Sequence, residues 1–258
     1  VPPEIAEFSH AYFARMAELE DRHPWTRHMR ELTLDLLTRA GGDGCKRRLD
    51  VGCGTGLFLD NWRRRGTAER LTGVDFAYPA LEFARQRTEA EWVTASAAAL
   101  PLQDQSFDAI HSADVLQHLA IHEVGPAFEE FARVLSPGGL VALRLRGPRW
   151  LTATPDTDYS VTFTPAQVRQ QLERCGFQVV YLSLVNTLPS LAAELRERLS
   201  SANSRGDAPV KGISCHAEGD PRSAGLALYL RMERVWSYTL GLPLPFGHTI
   251  ICVAKKRG

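Results

Sequence analysis

Short apolar runs that stop at glycine or a charged residue alternate along this chain with stretches whose apolar residues recur at helical spacing. Leu49 and Val51 end the first such run, and Gly52, Gly54 and Gly56 follow on alternate positions. A helical pattern then starts at Leu57 and carries to Arg65. Leu71 to Val74, Trp92 to Thr94 and Phe107 to His111 repeat the strand signal, with a helix over Ala80 to Gln86 between the first two. The helix predicted at 122–134 presents Val124, Phe128, Phe131 and Val134 on one face. Residues 133–143 then turn through Pro137-Gly138-Gly139 into a fifth strand. Thr164 N-caps a helix through Gln171 that ends at Cys175-Gly176. Phe177 to Val185 and His248 to Ala254 supply the last two strands. Strands and helices in alternation predict a doubly wound, Rossmann-like α/β domain with a seven-stranded sheet.

Two regions lie outside that alternation. Residues 1 to about 41 read as helix. Ile5, Phe8, Tyr12, Phe13 and Met16 form one stripe. After His23-Pro24 a second carries Met29, Leu32, Leu36 and Leu37, and Gly41-Gly42 closes it. Between the last two strands about 60 residues intervene, with helical runs near 188–200 and 223–240. They are expected to form a helical cap over an acceptor pocket, a dimerisation arm being the competing reading. The expected division is a helical cover at 1–42, an α/β core at 43–186, a cap insertion at 187–245, and a last strand with a basic tail, Lys255-Lys256-Arg257, at 246–258.

Composition narrows the partners. With 258 residues, 44% of them hydrophobic, the chain can bury a full core. Thirty basic and thirty acidic residues cancel, so no bulk field draws nucleic acid or an anionic membrane. No apolar run approaches the length of a membrane span, and the N-terminal stretch is charged and helical rather than signal-like. A cytoplasmic location follows as the expectation. Cys45, Cys53, Cys175, Cys215 and Cys252 are scattered without zinc-ligand spacing, which suits free thiols in a reducing compartment. The eight histidines show no H-E-x-x-H pattern, so no metal is expected.

The glycine run carries the chemistry. Glycines there admit positive φ and let a ligand approach bare backbone, and the helix start beyond offers unpaired N–H groups. The spacing is G-x-G-x-G, not the G-x-G-x-x-G of dinucleotide sites, and Asp50 just before it has no place in the dinucleotide pattern. Asp75, 25 residues beyond Asp50 at the tip of the second strand, is placed to accept hydrogen bonds from ribose hydroxyls. The plainer alternative for it is a helix N-cap.

Leu49 to Phe58, L-D-V-G-C-G-T-G-L-F, resembles motif I of the class I S-adenosylmethionine-dependent methyltransferases. The stretch L-T-G-V-D-F-A-Y-P-A-L-E-F-A-R is similar to that family's second motif. Residues 95–110, A-S-A-A-A-L-P-L-Q-D-Q-S-F-D-A-I, resemble its G-D-A-x-x-L-P-F-x-x-x-S-F-D, and R-V-L-S-P-G-G-L-V-A-L at 133–143 resembles its turn into the fifth strand. This resemblance covers most of residues 45 to 185. It implies a loop of Asp50, Gly52, Cys53, Gly54 and Gly56 around the methionine end of the cofactor, with Phe76 beside the adenine. Ser96 stands where the family often has an acid that accepts from the adenine amino group, leaving stacking and the Ala97 backbone as the main hold. Ser112 falls beside the methionine and His118 near the reacting methyl, as a base or as a residue that only shapes the pocket, and Gln117 is a further cofactor-binding candidate.

Three further pieces resemble a bacterial subgroup of the type 11 methyltransferases: H-P-W-T-R-H-M-R at 23–30, V-N-T-L-P at 185–189 and L-P-F-G-H-T at 244–249. They imply that Arg27 or Arg30 meets the cofactor carboxylate and that Asn186 faces the acceptor, with Trp25 and Trp150 as further acceptor candidates. Where many members carry a His and paired Arg, this chain has Tyr159-Ser160-Val161-Thr162-Phe163, which implies a different and more apolar acceptor.

The implied function is methyl transfer from S-adenosylmethionine, with S-adenosylhomocysteine as product, to a small-molecule acceptor. An oxygen acceptor needs a base, for which His118 is the first candidate, with His216 and Asp114 behind it. The competing reading is a cofactor-binding module without catalysis that acts as a protein partner. Glycine spacing disfavours a nicotinamide dehydrogenase. Neutral charge and the lack of an amide–Pro–Pro–aromatic tetrapeptide after the fourth strand disfavour a nucleic-acid methyltransferase.

Overall fold

The computed structural model describes residues 8–148, 161–201, 221–239, 243–244 and 246–258. Two helices come first, α1 (His10–Leu19) and α2 (Pro24–Arg39). Ser9 caps α1, its hydroxyl accepting from the Tyr12 N–H, and Pro24 opens α2, where its missing N–H costs nothing. The core then alternates β1 (Arg47–Val51), α3 (Leu57–Arg63), β2 (Arg70–Asp75), α4 (Tyr78–Arg87), β3 (Glu91–Thr94), β4 (Phe107–Ala113), α5 (Ile121–Val134), β5 (Leu135–Arg146), α6 (Pro165–Arg174) and β6 (Phe177–Val185). Between β6 and β7 (Thr249–Lys256) lie α7 (Thr187–Ser201) and α8 (Pro221–Arg234), the latter running on as a π-turn over Val235–Thr239.

The seven strands form one sheet in the order β3-β2-β1-β4-β5-β7-β6. All pairings are parallel except those of β7, which runs antiparallel between β5 and β6. The chain leaves β1 in one direction across the sheet and returns to β4 on its other side. Sheets of this kind take ligands at such a switch point, at the carboxyl ends of the strands.

Alternation along the strands sorts two apolar layers. Leu49, Val51 and Ile110 pack with Phe128 and Phe131 of α5 and Leu172 of α6. On the opposite face Met29, Leu32 and Leu37 of α2 meet Leu59 and Trp62 of α3 over Ala109, Ala142 and Val253. Each such apolar side chain contributes about 1.5–3 kcal/mol relative to an exposed one. Arg48 is the exception inside this second layer. Its guanidinium donates to the carbonyls of Cys45 at 2.8 Å, Arg65 at 2.6 Å, Asp43 at 3.2 Å and Trp62, and lies over the Trp62 ring. A buried cation is thereby fully bonded at the carbonyl end of α3.

Several boundaries differ from the sequence expectation by one or two residues, and three of the differences have a cause in the sheet. β4 runs two residues further than His111 because Ser112 and Ala113 pair with Leu143 and Arg144 of β5. Pro137-Gly138-Gly139 does not break β5. The irregularity is absorbed as a register shift between the Phe107↔Leu135 and Ala109↔Leu140 pairs, with Gly138 at φ 77°. Lys255 and Lys256 are not tail but ladder residues of β7. The Lys256 amine caps α5, donating to the carbonyls of Ala132 at 2.6 Å and Leu135 at 2.7 Å. Both helical runs expected between β6 and β7 are present as α7 and α8. Trp150, Tyr159, Ser160, Cys215 and His216 lie outside the described residues. Cys45, Cys53, Cys175 and Cys252 are free thiols. Among the described residues no helix is long and apolar enough to cross a membrane.

Candidate cofactor-binding crevice

The switch-point crevice is built on the turn from β1 to α3. Gly52, Gly54 and Gly56 have φ of 72°, 52° and 78°, left-handed values that side chains resist. A Cβ at Gly52 would run into Val115, whereas one at Gly54 would touch only Met16 Sδ, at 3.8 Å. The Gly54 backbone is therefore the part of the loop open to close approach. Asp75 accepts the Gly54 N–H on Oδ2 at 2.8 Å and the Ala77 N–H on Oδ1 at 2.9 Å. Its carboxylate thus ties the loop to the start of α4, combining the cap-like bond with a place beside the glycines. Burial raises its pKa, and those two backbone bonds oppose the rise. Cys53 is buried in the loop, and burial, then Asp50 and Asp75, push its thiol well up, so it is inert.

Two buried polar atoms at the crevice have no hydrogen-bond partner: Asp50 Oδ2 and Ser112 Oγ. Leaving such groups dry costs about 1–3 kcal/mol each, more for a charge, and in a native protein that calls for an explanation. An acceptor-only carboxylate oxygen, a hydroxyl and an open glycine backbone make a donor and acceptor set that fits the amino-acid end of S-adenosylmethionine. On the adenine side Phe76 is 56% exposed, so its ring is available for stacking. Phe8 meets it edge-on at 4.8 Å and reaches His118 at 5.7 Å, bridging the two sides of the crevice. Ser96 Oγ accepts the Ala98 N–H at 3.2 Å, and Ala97 is buried beside it.

The helical cover is fastened to the loop. Glu20, just past α1, accepts from the Thr55 hydroxyl between Gly54 and Gly56 and pairs with Arg87 Nη2 at 2.8 Å. Burial raises the Glu20 pKa, with the Thr55 bond and Arg87 opposing. Arg30 lies one contact further out, 3.5 Å from the Glu20 carbonyl and 3.7 Å from Asp21. Its Nε is buried without a partner, and burial lowers its pKa. Arg27 instead faces outward and pairs with Glu31 at 3.2 Å.

The residues expected on the acceptor side divide. His118 is exposed on a 3-10 turn, Leu116–His118, past β4. Gln117 is buried and holds the end of β5, its Oε1 accepting the Arg146 N–H at 3.1 Å. Trp25 lies against the Arg144 guanidinium, which grips Asp114 Oδ2 at 2.5 and 2.9 Å. Asn186 stands apart from this group. Its N–H donates to Glu233 at 2.9 Å and its amide to Thr249 Oγ1 at 3.0 Å, inside the junction of β6, β7 and α8.

Sequence reasoning missed the polar groups that pair across the sheet. His111 meets Asp50 at 2.7 Å. Glu233 gathers Asn186, Thr187, Tyr229 and, at 3.7 Å, His28. His248 pairs with the buried Glu194, and its N–H donates to Ser190 Oγ at 3.2 Å. The usable signal was the strand register, since His111 occupies the β4 position opposite Asp50. Among the described residues no three His, Cys, Asp or Glu side chains gather as a metal site.

A family model described as a methyltransferase domain matches residues 49–143. A demethylmenaquinone methyltransferase of Roseiflexus castenholzii is 36% identical over 163 residues, covering 57% of this chain and 64% of that protein. A malonyl-[acyl-carrier protein] O-methyltransferase of Yersinia pestis is 38% identical over 94 residues, 36% of this chain and 34% of its own length. This chain thus spans about a third of one relative and just under two thirds of the other. The putative methyltransferase solved in complex with the Haloferax volcanii Trm112 activator superposes with TM-score 0.61 at 20% identity, over 96% of this chain and 95% of that one. At that identity the likeness concerns the fold.

Proposed function

Through residues 49–143 the chain belongs to the class I S-adenosylmethionine-dependent methyltransferases, and from that premise we propose that it transfers a methyl group to a small, apolar acceptor. The observation that carries the reading is the open glycine backbone flanked by Asp50 and Asp75, with Asp50 Oδ2 buried and unpartnered. Asp50, Gly52, Gly54, Ser112 and Arg30 hold the amino-acid end, Asp75 the ribose, and Phe76, Ser96 and Ala97 the adenine. When bound, S-adenosylmethionine supplies a methyl already made electrophilic by its sulfonium. What remains for the protein is to hold a nucleophile in line and keep water out. His118 takes the proton of a hydroxyl acceptor, and Trp25 and the cap helices α7 and α8 shape the acceptor side. Relatives named as a demethylmenaquinone methyltransferase and a malonyl-[acyl-carrier protein] O-methyltransferase support methyl transfer, and the first supports an acceptor with an apolar body.

The test is calorimetric titration with S-adenosylhomocysteine and with NAD, on the wild type and on Asp75→Ala. Binding of the former alone, weakened about tenfold or more by the substitution, is expected from the loss of bonds to a charged group. No binding of S-adenosylhomocysteine refutes the reading. A second reading, a cofactor-binding module acting through another protein, draws on one observation. Leu188, Leu191 and Leu195 lie exposed on one face of α7, and Leu228, Met232 and Trp236 lie exposed on α8 and its π-turn. Binding of S-adenosylhomocysteine with no release of it from S-adenosylmethionine across a panel of quinols, phenols and amines would favour that reading.

A further inference from the structure

His111 and Asp50 face each other in the parallel ladder of β4 and β1, with imidazole Nδ1 2.7 Å from carboxylate Oδ1. Both side chains are buried. The imidazole lies flat on the Phe58 ring, centroids 3.3 Å apart and planes 8° from parallel. One face is covered by Phe58 of α3 and one edge is held by Asp50, so the ring has a single orientation. A carboxylate clamped on Oδ1 has its second oxygen fixed in direction as well. That oxygen, Oδ2, is the buried atom without a partner, two residues before the glycine whose Cβ would meet Val115.

The electrostatics select what Oδ2 would receive. Asp50 forms an ion pair with no Lys or Arg among the described residues, and the Asp75 carboxylate bonds only backbone N–H groups. Two carboxylates on the adjacent strands β1 and β2, with no guanidinium or ammonium paired to either among the described residues, favour a cationic ligand group. Cys53, between them, adds no positive charge. An ammonium presents three donors and suits an acceptor-only oxygen, whereas a neutral hydroxyl would gain less there.

We propose that His111 is a positioning residue that turns Asp50 Oδ2 onto the α-ammonium of the ligand's amino-acid moiety, and so makes the site discriminate adenosyl ligands that carry that moiety from those that lack it. The inference rests on the cofactor reading above. It concerns a side chain that touches the carboxylate and not the ligand, which distinguishes it from a cofactor contact. His111→Leu removes the bond and keeps an apolar partner for Phe58. His111→Asn keeps an amide nitrogen at the place of Nδ1, and His111→Gln moves it one bond further out.

The experiment is titration of the purified protein and these variants with S-adenosylhomocysteine and with 5′-methylthioadenosine, which has the same adenosine and thioether but no amino acid. Circular dichroism establishes that each variant is folded. For His111→Leu the expected result is at least tenfold weaker binding of S-adenosylhomocysteine, with 5′-methylthioadenosine within twofold of wild type, and recovery of most of the loss in His111→Asn. Should the leucine variant not fold, the same split must appear between His111→Asn, which retains affinity, and His111→Gln, which loses it. Unchanged affinity, or parallel loss for both ligands, overturns the positioning role alone. Failure of the wild type to bind S-adenosylhomocysteine overturns the cofactor reading and this inference with it.

Discussion

The two halves of the sheet hold their geometry by different means. On the β3-β2-β1-β4 side it is chiefly the backbone, beside the buried Asp50–His111 pair. Three left-handed glycines shape the loop, and Asp75 fastens it through two main-chain N–H groups. On the β5-β7-β6 side the side chains do it. Glu233 of α8 satisfies the N–H groups of Asn186 and Thr187 and meets Tyr229 and His28, while Glu194 of α7 holds His248 at the mouth of β7. A backbone-built site has little room for sequence change but keeps its shape for any ligand of the class. A side-chain network is set by residues far apart in the chain and can be re-specified without disturbing the loop. On the proposed function, this would put fixed cofactor chemistry in one half and adjustable acceptor chemistry in the other.

That division can be broken from either side. Gly52→Ala should have the largest effect, since its Cβ meets Val115 and its φ of 72° strains any side chain. Overpacking and left-handed strain together suggest about 2–5 kcal/mol, read by urea denaturation, with loss of S-adenosylhomocysteine binding in calorimetry. Glu233→Ala should cost about 2–4 kcal/mol by leaving buried N–H groups unpaired, while affinity for S-adenosylhomocysteine stays within about twofold. A tenfold loss of that affinity would mean that the halves are not separable.

Proton linkage sharpens the same contrast. Burial alone would raise the Glu233 pKa, but His28 close by at 3.7 Å and the bonds from Tyr229, Asn186 and Thr187 outweigh it and hold the carboxyl below its usual value. The unfolded chain therefore takes up this proton first as pH falls. The stability contributed by Glu233 is full above the ordinary glutamate range, roughly pH 4.3, and is lost as pH drops through the lowered native value. Melting temperature followed from about pH 6 to 3 should accordingly fall more steeply in wild type than in Glu233→Gln. The smallest effect is expected at the cover. Glu20→Ala releases Thr55 and Arg87 from the loop's outer side and should weaken S-adenosylhomocysteine about fivefold, the worth of roughly 1 kcal/mol, measured in the same titration.

The parts of this molecule that were legible in the sequence are those governed by local rules. Glycine spacing, the Thr164 cap and the bounds of β6 follow from residues a few positions apart, and the structure has them where the spacing puts them. Gly52, Gly54, Gly56, Asp50 and Asp75 come together as the βαβ geometry requires. Strand lengths were less legible, because a strand ends where its neighbour's ladder ends. Ser112 and Ala113 read as the start of a loop until β5 pairs with them, and Lys255 and Lys256 read as a tail until β5 and β6 do. His111 with Asp50, and Asn186 with Glu233, are 61 and 47 residues apart, and only the sheet order brings each pair together. A lone polar residue in an apolar strand carries no mark of its partner.

The place of β7 has a consequence for how the protein is made. The strand that fills the gap between β5 and β6 is made after the other six strands of the sheet, and after α7 and α8. Until then β5 and β6 each present an open edge toward the other, with no partner at the right spacing. The glycine loop and its flanking carboxylates, by contrast, belong to strands already in hand. Nascent chains should therefore form the glycine loop early and stay adhesive along a sheet edge late. In that window the open sheet edge, and not the glycine loop, sets the tendency to aggregate.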